Sequence, residues 1–150
     1  MKKLICFLVI AFATLGALAQ TNVMTTGLEF LKIDNADRIA AECRAKGYKL
    51  SSVSSAATAV YCLDPNCMGP IMEIKYNPQT KGVNNVTIYG LKNAKSIKKE
   101  LKSMEFEKTG TGTIKIVGGN EIKAEIWCHK ATTCYVGKDS DGVRLVMMKE

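Results

Sequence analysis

One histidine, His129, is all the sequence holds, and that scarcity removes most acid–base chemistry. Its neighbour Cys128 is no partner for it, because adjacent residues on a strand point to opposite faces. No serine stands in a motif with a histidine base, and no Cys-x-x-Cys redox pair is present. A phosphate-cradling loop is missing as well. Thr109-Gly110-Thr111-Gly112-Thr113 has suitable glycines but opens a strand, whereas such loops open a helix whose N-terminus faces the anion. Asp139-Ser140-Asp141-Gly142 begins like a calcium loop, yet Val143 stands where a third oxygen ligand belongs, so the segment reads as a hairpin turn. These absences argue against an enzyme, and no cofactor is expected.

Long apolar runs are equally scarce. The only one, Leu4 to Leu15, is interrupted by Thr14 alone. Lys2 and Lys3 precede it and Ala17-Leu18-Ala19 follows, the order of a secretory signal peptide cleaved between Ala19 and Gln20. The run is too short for the roughly 20 residues that span a bilayer as a helix. Cleavage would leave residues 20–150, a single domain by length that is periplasmic or secreted, with no stable membrane insertion. It would remove two of the 21 basic residues and none of the 14 acidic ones, lowering the net charge from +7 to +5. A balance of that size carries no nucleic-acid signature.

Export gives the cysteines their meaning. Cys6 leaves with the signal, and Cys43, Cys62, Cys67, Cys128 and Cys134 enter a compartment where disulfides persist. Five is odd, so at least one stays free or pairs between chains. Cys62 and Cys67 bracket a turn, and Cys128 and Cys134 bracket residues 129–133. Two local disulfides are the simplest assignment, each stabilising by roughly 2 kcal/mol in the chain-entropy treatment. Bridges between the two pairs stay open. A metal site from Cys62, Cys67, Cys128, His129 and Cys134 is disfavoured, because the 128–134 spacing exceeds that of structural zinc pairs. Cys43 reads as a small buried hydrophobe.

A shift of 58 residues lays Leu28–Tyr48 on Val86–Phe106. Asn35, Ala36, Ile39 and Glu42 then meet Asn93, Ala94, Ile97 and Glu100 as identities. Such self-similarity predicts two tandem units, about 28–85 and about 86–150. Each would start with a short apolar strand, Leu28–Ile33 or Val86–Leu91. An Asn N-cap and an amphipathic helix follow. Ala94, Ile97, Leu101 and Met104 share one helix face, and Lys95, Lys98, Lys99 and Lys102 form the solvated back. Gly47 is placed to stop the first helix. After each helix the period becomes two, with strands at 56–62, 71–76, 112–117, 121–128, 134–137 and 143–148. The expected fold is α+β: two strand–helix–hairpin repeats forming an antiparallel or mixed sheet with two helices on one face.

The sheet face away from the helices is the candidate partner surface. If Cys128 lies opposite Cys134, Trp127 faces Tyr135, and Ile122, Ala124, Ile126 and Cys128 turn inward. Lys123, Glu125 and Trp127 would then point outward with Tyr135, Arg144 and Tyr61. Glu73 and Lys75 lie opposite Met72 and Ile74. Aromatics among alternating charges suit a protein-docking surface, although a cross-strand aromatic pair can also serve the sheet alone.

Phe30-Leu31-Lys32-Ile33-Asp34, a helix, Lys46-Gly47-Tyr48 and then hairpins resemble a set of small exported proteins of Bacteroidetes-type bacteria. The fold of that set is similar to the β-lactamase-inhibitor-protein-like (BLIP-like) architecture. The resemblance implies a non-catalytic fold whose open sheet face docks a protein. It does not imply β-lactamase inhibition, since no inhibitory loop matches residue by residue. The expected function is a non-catalytic, inhibitor-like module that binds a protein in the cell envelope. The competing readings are a thiol- or metal-dependent envelope enzyme and a structural envelope protein.

Overall fold

The computed structural model describes residues 23–150 apart from Asp34, residues 52–54, Pro65 and residues 117–118. The expected signal peptide, residues 1–19, lies outside the described residues. Among the described residues no helix is long and apolar enough to cross a membrane.

The order along the chain is α1 (23–32), α2 (Ala36–Ala45), β1 (Lys49–Leu50), β2 (Thr58–Cys62), β3 (Ile71–Tyr76) and β4 (Val83–Leu91). Then come α3 (Ala94–Ser103), β5 (Glu107–Lys115), β6 (Glu121–His129), β7 (Thr132–Asp139) and β8 (Gly142–Lys149). All eight strands form one antiparallel sheet in the order β1-β2-β3-β4-β8-β7-β6-β5. Antiparallel neighbours need only short turns, and the two-residue links Lys130-Ala131 and Ser140-Asp141 join β6 to β7 and β7 to β8.

The α+β class matches the expectation, but the tandem repeat does not extend over its predicted first strand. Residues 28–33 belong to α1 and its end rather than to a strand. Val23, Met24, Gly27, Phe30 and Leu31 are buried, and their spacing is helical. Among the described residues three helices therefore stand where two were expected. What the offset of 58 does preserve is the helix with its caps. Asn35 Oδ1 accepts from Asp37 N at 2.9 Å and Arg38 N at 3.1 Å; Asn93 Oδ1 accepts from Ser96 N at 3.1 Å. At the other end Tyr48 N donates to Cys43 O, and Phe106 N donates to Leu101 O, closing the same C-terminal motif twice. The left-handed residue of that motif is Gly47 in one copy and Glu105, at φ 63°, in the other.

One core unites the helices with one face of the sheet. Met24, Phe30, Ile39, Cys43, Ile97 and Leu101 pack on Met72, Ile74, Val86, Ile88, Leu145 and Met147. In the ladders Met72 lies opposite Ile88, Ile88 opposite Leu145, and Val86 opposite Met147, so these side chains share a face. The other face is concave. A single groove touches β3 and β4 as well as Ile114 and Lys115 of β5, although four strand positions separate β4 from β5 in the sheet. The sheet therefore curls across its own open side. Small residues permit this: Gly112, Ala124 and Gly137 lie side by side. A Cβ on Gly137 would come within 2.9 Å of Ile122 Cδ1.

Candidate functional site

The register of the β6–β7 hairpin decides what the concave face presents. The two-residue turn sets Trp127 opposite Cys134 and Cys128 opposite Thr133. The expected register is thus off by one residue, and a one-residue slip moves every side chain to the other face. Trp127, Lys123 and Glu125 lie on the helix side. Trp127 is 3% exposed and packs in the main core, so it cannot serve as an exposed anchor. Tyr61 is also corrected: it pairs across from core residue Met72 and is buried. The apolar set Ile122, Ala124 and Ile126 turns instead to the concave face, where the curl covers it. Tyr135 and Arg144 line the groove of the open face.

The same slip separates two cysteines. Cys128 and Cys134 sit on opposite faces and form no bond; both are free, as is Cys43. Among the described residues only Cys62 and Cys67 are joined, with Cα atoms 5.0 Å apart. Burial pushes the Cys43 and Cys134 thiols up to about 12, which keeps both protonated and poorly nucleophilic. Cys128 Sγ lies 3.4 Å from Thr109 Oγ1 and 3.5 Å from Thr133 Oγ1. His129 faces the other way, with Nδ1 3.0 Å from Glu105 O. Cys128 therefore does not meet the histidine, and Cys134, which shares a face with His129, is buried and held protonated. Among the described residues no three His, Cys, Asp or Glu side chains converge as a metal-binding group.

What the open face does assemble is a polar groove of about 300 Å³. β3 contributes Glu73 and Lys75, paired at 3.3 Å. β4 contributes Asn85, Thr87 and Tyr89, which alternate with buried Val86 and Ile88. β7 and β8 supply Tyr135 and Arg144. Arg144 is clamped: Nη2 donates to Asp139 Oδ2 at 2.8 Å, and its guanidinium carbon lies 4.4 Å from the Tyr89 ring centroid. Burial, with the Glu73 carboxylate alongside, pushes the Tyr89 phenol up to about 12, so it stays a neutral donor. Two buried polar atoms of this groove have no hydrogen-bond partner among the described residues, Arg144 Nε and Asn85 Oδ1. A donor and an acceptor left open in one groove can together receive an amide-like group; nothing in the set supplies a nucleophile with a base.

The sequence placed Glu73, Lys75, Tyr135 and Arg144 on this face and missed Asn85, Thr87 and Tyr89. Strand alternation around Val86 and Ile88 was the signal for them, obscured because Tyr89 reads as one more apolar strand residue. Comparison with protein-family models, with curated proteins and with solved structures returns no match for this chain.

Proposed function

We propose that this protein is an exported, non-catalytic binding module of the cell envelope that receives a polar segment of a partner protein in the concave sheet groove. The observation that carries the reading is the pair of buried, unpartnered polar atoms, Arg144 Nε and Asn85 Oδ1, in one groove. Leaving such groups unmade in water-poor surroundings costs about 1–3 kcal/mol each, a cost that a bound peptide group offsets. The Cys62–Cys67 bond supports export, because disulfides persist mainly in oxidising compartments. The BLIP-like resemblance belongs to the same reading, since it implies docking on an open sheet face. Cys128 turns away from His129 and burial keeps the Cys134 thiol protonated, and both speak against the thiol-enzyme alternative.

A photo-crosslinking residue tests the proposal when it replaces Tyr135 in one variant and Lys99, on the helix side, in another. In envelope preparations the Tyr135 variant should give a discrete protein adduct that the Lys99 variant lacks. Adding Asn85→Ala to the Tyr135 variant should weaken that adduct while thermal melting stays near that of the parent. Equal adducts from both positions, or none from position 135, would remove the groove from consideration.

A further inference from the structure

The helix side of the sheet carries a second, chemically different groove. It measures about 460 Å³ and runs between α3 and the β5–β6 end of the sheet. Five lysines line it, four from α3 and Lys108 from β5, together with Glu125 and Trp127. One carboxylate therefore stands against five ammonium groups. That carboxylate is already taken: Lys98 Nζ lies 3.0 Å and Lys108 Nζ 3.2 Å from Glu125 Oε1. Lys102 Nζ sits 5.9 Å from the Trp127 ring centroid, which supplies a weak cation–π contact and no counter-charge. Lys95 and Lys99 meet no carboxylate among the described residues.

The second observation is independent of charge. Trp127 is 3% exposed, and its Nε1–H is buried without an acceptor among the described residues. Buried indole N–H groups ordinarily find a partner. Here the unpartnered donor belongs to a residue that lines the lysine groove. An anion in the groove would supply the missing acceptor and the missing negative charge together. An excess of four positive charges favours a ligand with several charges on adjacent oxygens over a single carboxylate.

We infer that the α3–β6 groove binds a multiply charged phosphate group, with Lys95 and Lys99 as its free cationic ligands and the Trp127 indole N–H as a buried donor. The phosphate could be carried by a soluble ester or by a lipid headgroup, and the two sources share this chemistry. The inference is separate from the concave-face reading, since it concerns the opposite side of the sheet.

Trp127 is the only tryptophan, so its fluorescence reports on the groove without labelling. At low ionic strength, inorganic pyrophosphate is titrated into the full chain, and in a parallel arm vesicles of phosphatidic acid with phosphatidylcholine are added, since a phosphomonoester headgroup carries more than one negative charge. A saturable change with pyrophosphate supports a soluble ligand; a change with vesicles alone supports a headgroup. In either case the Lys95→Gln, Lys99→Gln double variant should raise the half-saturating concentration about tenfold, as loss of two charged contacts predicts. Neither lysine makes a described ion pair, so the variant should melt like the parent. Calorimetry on Trp127→Phe should show weaker pyrophosphate binding, and Tyr135→Ala should show none of these changes. The inference is overturned by no response in either arm, by an equal response to sodium chloride at matched ionic strength, or by a response the double variant leaves intact.

Discussion

α2 and α3 are built alike and used differently. Both span ten residues, start on an Asn cap and end in a motif with one left-handed residue. Each buries two side chains at the same positions, Ile39 and Cys43 in one, Ile97 and Leu101 in the other. Their outward faces diverge. α2 mixes Asp37, Arg38, Glu42 and Arg44, whereas α3 carries four lysines. Their approaches diverge too, since α2 follows another helix and α3 follows strand β4. Caps and an inward stripe are enough to specify a helix locally. The outward face is left free, and on α3 it meets Glu125 and Trp127.

The most severe way to break the likeness is to empty the shared core positions. Leu101→Ala and Ile39→Ala remove fully buried side chains, and each should cost about 2–5 kcal/mol in denaturant unfolding. Similar losses would show that both helices belong to one cooperative body; a much smaller loss at Ile39 would show that α2 unfolds separately. Milder changes at the N-caps sharpen the comparison. Asn35→Ala and Asn93→Ala should each cost about 1 kcal/mol, with the larger loss at Asn35, which caps two N–H groups where Asn93 caps one. Melting temperatures of the two variants check the ranking.

The C-terminal motifs differ in a way that a single substitution can reverse. Glu105 holds a left-handed conformation that Gly47 adopts without a Cβ penalty. Glu105→Gly should therefore stabilise by up to about 1 kcal/mol, while Gly47→Ala should destabilise by a comparable amount. The smallest effect is acid sensitivity on α3 alone. Burial opposes ionisation of Glu125, but hydrogen bonds from Lys98 and Lys108 outweigh it and hold the carboxyl below its usual range. A depressed carboxyl stabilises fully above the unfolded value of 4.5 and loses that contribution as pH falls through the lower folded value. Trp127 fluorescence should drift as pH falls from the unfolded value of 4.5 through the lower folded value, and Glu125→Gln should abolish the drift.

Much of the secondary structure was legible along the chain. β3 falls at the expected residues 71–76, and β6, β7 and β8 contain the expected strands with one or two residues added at their ends. The helix ends were legible because Asn35, Asn93 and Gly47 act within a few residues of themselves. Residues 28–33 were misread because a cluster of apolar residues does not distinguish a strand from a buried helix; the deciding partners Val23, Met24 and Gly27 lie just upstream.

The site shows where local reading stops. Sequence alternation alone establishes that Lys123, Glu125 and Trp127 share one face of β6 and that Ile122, Ala124 and Ile126 share the other. It cannot choose which face meets the helices, because each set has something to bury: an indole and lysine stems in one, three aliphatic side chains in the other. That choice rests on a two-residue turn at Lys130-Ala131 and on the curl allowed by Gly112 and Gly137. A register slip of one residue exchanges the faces. The pairing that keeps Cys128 from Cys134 also buries Trp127 beneath α3 and opens the groove around Arg144 and Asn85. Local chemistry thus determined α2, α3, their caps and most of the strands. Only long-range pairing decided which side chains became core and which became surface.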